Sequence, residues 1–146
     1  MKVREVEVRY GKTVAEVDGR KMLDQNDVAK VLREFIGDAT EERFVVLHLD
    51  TRNRVKAIQE VSRGTVSASL VHPREVFRAA IIEGATGIIL GHNHPSGDTT
   101  PSSEDIAITK RLVDAGSMLG IKILDHVIIG DNHYSFNDAG SLRGNW

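Results

Sequence analysis

The sequence predicts a single α/β domain in which helices flank a mixed central β-sheet, with a β-hairpin ahead of it. Apolar runs of strand length, such as 87–91 and 121–129, alternate along the chain with segments whose apolar residues recur at helical spacing. The chain has 146 residues, of which 40% are hydrophobic and 27% are charged. This length and composition suffice for one buried core and are typical of a globular domain.

The N-terminal part predicts a hairpin followed by a helix. Residues 3–17 alternate roughly between apolar and polar side chains and are interrupted at 10–12, so we expect a β-hairpin within an extension over 1–23. Apolar residues recur at helical spacing over 24–36, and Gly37 is a typical residue at which such a helix ends.

Two strands and a second helix follow. A hydrophobic run over 44–49 predicts a strand, and turn residues at 51–53 lead into a second strand over 55–61. Proline is favoured at the first position of a helix and glycine just past its end. The chain therefore predicts a helix over 73–83 that ends at Gly84.

The second half predicts a strand, a long helix and two further strands. We expect a buried strand over 87–94, a helix over 102–119 and a strongly apolar strand over 121–129. The residues of this helix that we expect to face the core are Ile106, Leu112, Val113 and Leu119. A turn at 131–132 then leads to a short strand over 134–136.

These elements divide the chain into three parts. The N-terminal hairpin extension occupies 1–23, the main domain 24–138, and a glycine-containing tail 139–146. We expect the tail to be flexible, because chain termini are poorly ordered unless they are tied down.

Charge and residue types exclude several kinds of site. The net charge is -2 and the isoelectric point about 6.3, so we expect no strong nucleic-acid binding and no membrane binding from this chain alone. The absence of cysteine excludes disulfides, thiolate zinc sites and cysteine nucleophiles. The N-terminus lacks the apolar core of a signal peptide and no apolar run reaches transmembrane length, which predicts a cytoplasmic protein.

The most informative pattern lies at 92–105, where H-x-H is followed after seven residues by S-x-x-D. If the strand continues through His92 and His94, both imidazoles point to one face. Ser102 and Asp105 lie three residues apart at the expected helix start and share a face there. Two nitrogens and one carboxylate leave a fourth tetrahedral position for water, which is typical of a catalytic zinc site. Ser102 and Asp105 also fit a helix-capping pair, and the two roles are compatible.

Several segments resemble the RadC-like branch of the JAB/MPN (JAMM) zinc metalloprotease superfamily. The matching segments include 44–50 (FVVLHLD), 71–77 (VHPREVF), 92–98 (HNHPSGD) and 124–130 (LDHVIIG). The resemblance implies a cytidine-deaminase-like α/β fold and one zinc ion held by His92, His94 and Asp105, with water as the fourth ligand. It also implies a catalytic glutamate just before the first core strand, a position that Glu42 fits and for which Glu41 is the alternative.

The candidate residues each have a structural alternative. Glu42 could shuttle a proton between the metal-bound water and the leaving amine, or be a solvated charge in the 40–43 cluster. Ser102 could donate to the oxyanion or only cap the helix. Arg74 could meet a substrate anion or form a surface ion pair. Asp125 could support a zinc histidine or be a satisfied buried polar group. His48 is interpreted as structural and His133 as a solvated turn residue.

The leading functional hypothesis is zinc-dependent hydrolysis of a peptide or isopeptide bond in an unidentified peptide or protein substrate. A zinc-dependent deaminase is disfavoured because nucleobase deaminases use cysteine ligands. The remaining alternative is a non-catalytic, metal-stabilised module associated with DNA repair or recombination. Longer RadC-like proteins resemble two-domain chains with a helix-hairpin-helix module, which we do not expect within these 146 residues. A homo-oligomer is possible through the edge of the N-terminal hairpin.

Overall fold

A computed structural model of the chain describes residues 1–7, 20–67 and 69–142. The described helices and strands are, in order, α1 (Gln25–Ile36), β1 (Arg43–Leu49), β2 (Val55–Arg63), α2 (Pro73–Glu83), β3 (Gly87–Asn93), α3 (Ser103–Leu119), β4 (Lys122–Ile129) and β5 (His133–Ser135). The prediction of an α/β domain is confirmed, and the architecture is consistent with a JAB/MPN-like fold.

The five strands form one mixed sheet in the order β2-β1-β3-β4-β5. Strands β3 and β4 are parallel, and the other neighbouring pairs are antiparallel. The turn between β1 and β2 is held by Asp50, whose carboxylate accepts hydrogen bonds from the main-chain nitrogens of Arg52 and Arg54. In this strand order β3 lies at the centre of the sheet, and its carboxyl end is shielded on both sides by the neighbouring strands β1 and β4.

Helices cover both faces of the sheet. Helix α1 packs with Leu32 against a face that includes Val45, Leu47 and Val127. Helices α2 and α3 pack against the opposite face, whose apolar residues include Phe44, Val46, Ile88, Leu90 and Ile128. Residues of β1 alternate between these two clusters because successive side chains of a strand point to opposite faces.

Local signals place the helix ends where the sequence predicts them. Asp24 caps α1 by accepting from the main-chain nitrogens of Asn26 and Asp27. Helix α2 begins at Pro73 and ends before Gly84, which adopts a left-handed conformation with φ 68°. Each device satisfies or avoids the unpaired main-chain groups of a helix end.

The predicted core face of α3 is wrong at two residues. Ile106 is 54% exposed and Leu119 is 50% exposed, whereas Ile108 and Leu112 are fully buried. Ile106 precedes Ile108 by two residues, which is about 200° around a helix, so it points away from the sheet. Leu119 is the last residue of α3, where the chain turns towards β4.

The chain ends are described only in part. Residues 1–7 have no regular secondary structure, and most of the predicted hairpin falls on 8–19, outside the described residues. Residues 20–22 extend the sheet locally: the Val55 nitrogen donates to the Arg20 oxygen, and the Met22 nitrogen donates to the Asn53 oxygen. Within the predicted tail, Leu142 is buried against the core. Among the described residues, no helix is both long and apolar enough to cross a membrane.

Candidate metal centre

The two histidines lie at the carboxyl end of the central strand. His92 is fully buried and belongs to β3, and His94 follows directly after the strand, which ends at Asn93 rather than at His94. The His94 nitrogen nevertheless donates to the Ile129 oxygen and so keeps the chain beside β4. As a result, the Nε2 atoms of His92 and His94 are 3.1 Å apart.

The turn after His94 is braced against the turn that follows β4. Gly97 has φ +91°, and a Cβ atom there would lie 2.6 Å from the Asp131 carboxylate. The Gly97 nitrogen donates to the His94 oxygen, and the Asp131 nitrogen donates to the Gly97 oxygen. The Nδ1 atom of His94 is 2.7 Å from the Asp98 oxygen. Because a carbonyl can only accept, Nδ1 carries the proton in the neutral imidazole, and Nε2 then has a free lone pair.

Asp105 caps α3 and also lies against the two histidines. Its main-chain nitrogen donates to Ser102 Oγ at 3.1 Å, and its Oδ2 accepts from the Ser102 nitrogen at 2.8 Å, which completes a capping box. The same carboxylate lies 3.2 Å from His92 Nε2 and 3.1 Å from His94 Nε2. The cap therefore fixes the carboxylate against the two imidazoles.

These three side chains form a group that could hold a metal ion. One donor atom from each of His92, His94 and Asp105 lies within 4.8 Å of the other two. Donors about 2.1 Å from a tetrahedral ion lie about 3.4 Å apart, close to the separations seen here. Burial raises the pKa of the Asp105 carboxyl, but its contacts with His92 and Ser102 lower it more, so its net pKa is below the usual range. The carboxylate is therefore ionised at neutral pH, as a metal ligand must be.

Glu42 lies beside the group formed by His92, His94 and Asp105, called the cluster from here on, whereas Glu41 points elsewhere. Glu42 Oε1 is 3.9 Å from His94 Nε2, while Glu42 Oε2 accepts from the Val66 nitrogen at 2.8 Å. The Glu41 carboxylate is 3.9 Å from Arg63 Nε, in an exposed ion pair. Of the two neighbouring glutamates, the structure brings Glu42 to the histidines.

Asn93 holds this glutamate segment in place, a role that the sequence pattern did not reveal. Its side-chain nitrogen donates to the Glu41 oxygen at 3.0 Å, and its side-chain oxygen accepts from the Arg43 nitrogen at 2.7 Å. The residue between the two histidines therefore ties β3 to the chain on either side of Glu42.

Of the neighbouring pair Asp125 and His126, it is His126 that supports a histidine of the cluster. His126 Nε2 is 2.8 Å from His92 Nδ1, and His126 Nδ1 is 2.6 Å from Thr109 Oγ1. Burial lowers the pKa of His126 far below its ordinary value. Asp125 instead accepts from the His126 and Asn137 nitrogens, and burial raises the pKa of its carboxyl. Asp125 is therefore a satisfied buried polar group.

A β-bulge explains this assignment. Between Ile88 and Ile89 of β3, the register on β4 jumps from Ile123 to Asp125, which inserts one extra residue. Such an insertion reverses the face of every residue that follows it. Uninterrupted alternation from Ile123 would place Asp125 on the face of His92; the bulge places His126 there.

The other candidates do not reach the cluster. Arg74 is exposed, and its Nε is 3.9 Å from Glu75. His48 is buried, neither ring nitrogen has a hydrogen-bond partner among the described residues, and burial lowers its pKa. His133 is partly exposed and begins β5 rather than lying in the preceding turn.

Comparison with known proteins shows which family this chain belongs to. A family model described as "RadC-like JAB domain" matches residues 22–141. A UPF0758 protein of Methanosarcina acetivorans is 46% identical over 132 residues, which cover 90% of this chain and 58% of the relative. One of Alkaliphilus metalliredigens is 48% identical over 139 residues, covering 92% and 60%. One of Caldanaerobacter subterraneus is 56% identical over 105 residues, covering 72% and 45%.

This chain spans less than two thirds of the length of each of these curated relatives. The family match covers every residue of the cluster, as well as Glu42 and His126. The chain therefore belongs to the RadC-like JAB domain family.

Proposed function

We propose that this domain is a zinc-dependent hydrolase of peptide or isopeptide bonds. The observation that carries the proposal is the position of the Glu42 carboxylate, 3.9 Å from a histidine of a His-His-Asp group that could hold a metal. Three protein ligands of this type leave a coordination position open, as in catalytic rather than structural zinc sites. When bound, zinc would supply Lewis acidity that lowers the pKa of water towards neutrality and polarises a carbonyl group.

Glu42 is suited to hold and move the proton of the attacking water. Its Oε2 is occupied by the Val66 main-chain nitrogen, so the carboxylate is oriented and Oε1 is directed to the cluster. A carboxylate in this position can take a proton from water and deliver it to the leaving amine. The peptide nitrogen then departs as a neutral amine, and Glu42 returns to its ionised form.

Ser102 is suited to stabilise charge on the carbonyl oxygen. Its Oγ accepts from the Asp105 nitrogen, which leaves the hydroxyl hydrogen available for a substrate. Ser102 is exposed at the first turn of α3, next to a metal-ligand candidate. Loss of one such donor typically lowers the rate by about 10²–10³.

The test compares two neighbouring glutamate variants. Wild type, Glu42→Gln and Glu41→Gln are loaded with zinc, their zinc content is measured by elemental analysis, and cleavage of a peptide library and of isopeptide-linked peptides is followed by mass spectrometry. We expect near-stoichiometric zinc in all three proteins. The cleavage rate should fall about 10²–10⁴-fold for Glu42→Gln alone. His92→Ala and His94→Ala should lose the zinc.

The outcome separates this proposal from its alternatives. Wild type that stays metal-free in zinc-replete buffer contradicts a zinc site, and activity that depends on Glu41 but not on Glu42 contradicts the assignment of the proton carrier. Stoichiometric zinc with no cleavage of any library member favours the metal-stabilised module.

A further inference from the structure

A chain of buried hydrogen bonds runs away from the cluster and is not used by the proposed reaction. The Thr109 hydroxyl donates to the Asp105 main-chain oxygen at 2.6 Å. His126 Nδ1 is 2.6 Å from the Thr109 oxygen, and His126 Nε2 is 2.8 Å from His92 Nδ1. All four residues are at most 4% exposed. The chain links α3, β4 and β3.

The donor and the acceptor of every hydrogen bond in this series follow from the bond at its Asp105 end. The Asp105 carbonyl can only accept, so the single hydroxyl hydrogen of Thr109 is used there. The Thr109 oxygen must then accept from His126 Nδ1–H. The hydrogen bonds of the His126 ring go to a hydroxyl and an imidazole, and a fully buried ring without a paired counter-charge stays neutral. His126 Nε2 is therefore bare and accepts from His92 Nδ1–H.

We propose that Thr109 and His126 are positioning residues that hold His92 in the tautomer with a bare Nε2. The inference rests on the proposed metal site, because a bare Nε2 directed to His94 and Asp105 is what a metal requires. His94 reaches the same state through one carbonyl, that of Asp98. The Nδ1 of His92 faces β4 instead, where the acceptor for its proton is His126 Nε2.

The hydrogen bonds that run from Thr109 through His126 to His92 form a relay. This relay is needed because Asp105 favours the His92 tautomer with its proton on Nε2. Asp105 Oδ1 is 3.2 Å from His92 Nε2 and would attract a proton to that nitrogen in the metal-free protein. Without the Thr109 oxygen as acceptor, the His126 proton can lie on Nε2 instead of Nδ1 and be donated to His92 Nδ1. His92 then carries its own proton on Nε2, the atom that must bind the metal. A purely packing role for His126, which stacks on Phe136 at a centroid distance of 4.8 Å, would not depend on the Thr109 hydroxyl.

The test uses Thr109→Val, which removes the hydroxyl at nearly constant volume, with Thr109→Ser as the control that keeps it. Long-range ¹H–¹⁵N correlations on the chelator-treated full chain, at a pH of about 9 where imidazoles are ordinarily neutral, report which nitrogen of His92 is protonated. Zinc affinity is measured separately by competition with a chromophoric chelator.

In wild type and Thr109→Ser we expect the His92 proton on Nδ1. In Thr109→Val it should move to Nε2, and zinc affinity should fall about 10–100-fold, the usual cost of losing such a partner. A wild-type proton on His92 Nε2 overturns the inference, and so does a folded Thr109→Val with unchanged tautomer and affinity. If that variant does not fold, the wild-type spectrum alone decides. A protein with the expected tautomers that binds no zinc would contradict the proposed function and leave the relay supported.

Discussion

Two substitutions at the start of α3 should separate the helix cap from the proposed metal site, although Asp105 belongs to both. Ser102→Ala removes the side chain that accepts from the Asp105 nitrogen but leaves the carboxylate in place. Asp105→Asn removes the negative charge, while its side-chain oxygen can still accept from the Ser102 nitrogen. The first variant should therefore lower stability and keep zinc binding, and the second should lose zinc binding.

The expected magnitudes follow from the two contacts. Loss of an N-cap side chain costs about 1 kcal/mol. Zinc at about 100 times its Kd adds about 2.7 kcal/mol to the free energy of unfolding of a protein that binds it only when folded. For a domain of this size, 1 kcal/mol corresponds to about 2–4 °C in Tm. Zinc should therefore raise the Tm of wild type by about 5–11 °C, and Ser102→Ala should lower Tm by about 2–4 °C both with and without zinc.

The assay is thermal unfolding of chelator-stripped protein across a series of buffered free-zinc concentrations. Ser102→Ala should show the full zinc-dependent rise in Tm, and Asp105→Asn should show none. A zinc-dependent rise that persists in Asp105→Asn would refute the ligand assignment. A rise that disappears in Ser102→Ala, with α3 still helical by circular dichroism, would show that the cap and the metal site cannot be separated.

Three further results are expected. Gly97→Ala should lower both stability and zinc affinity, because φ +91° is strained for alanine and its Cβ would meet the Asp131 carboxylate; thermal unfolding and zinc titration of the variant check this. Hydrogen bonds from Arg63 and then Arg43 lower the pKa of Glu60, so the folded state binds this proton less readily than the unfolded state. The stability that Glu60 contributes is thus fully present above the ordinary glutamate pKa of 4.5, and it is lost as the pH falls through the lowered pKa of the folded state. Urea unfolding at a series of pH values should therefore show a smaller loss of stability at acidic pH for Glu60→Gln. Duplex DNA should bind no tighter than about 10⁻⁵ M at physiological salt, since the net charge is -2; submicromolar, steeply salt-dependent fluorescence anisotropy would instead favour a DNA-associated module.

Short-range patterns in the sequence were enough to predict the elements and the metal-ligand candidates. Asp24, Pro73 and Ser102 mark helix starts because each acts on main-chain groups within three residues of itself. His92 and His94 lie two residues apart at a strand end, and Asp105 lies in the next helical turn of the chain. A strand, a tight turn and a helix start leave these three side chains few other places to be, so their proximity was predictable.

Contacts between distant segments decided the remaining features. The choice between Glu42 and Glu41 depends on Asn93, which fixes the segment before β1 from 50 residues away. Ile106 is exposed because the sheet selects which side of α3 is buried, a choice that several apolar residues in the helix leave ambiguous.

The sequence by itself determined the order of helices and strands, their caps and the His-His-Asp spacing, because local backbone preferences and side-chain periodicity act over a few residues. Only the tertiary structure decided that His126, rather than Asp125, supports His92. Their separation of 34 residues is bridged by the parallel pairing of β3 with β4, and a single inserted residue in β4 reverses the faces. A bulge of this kind arises from the fit between two strands, and strand alternation in one segment cannot reveal it.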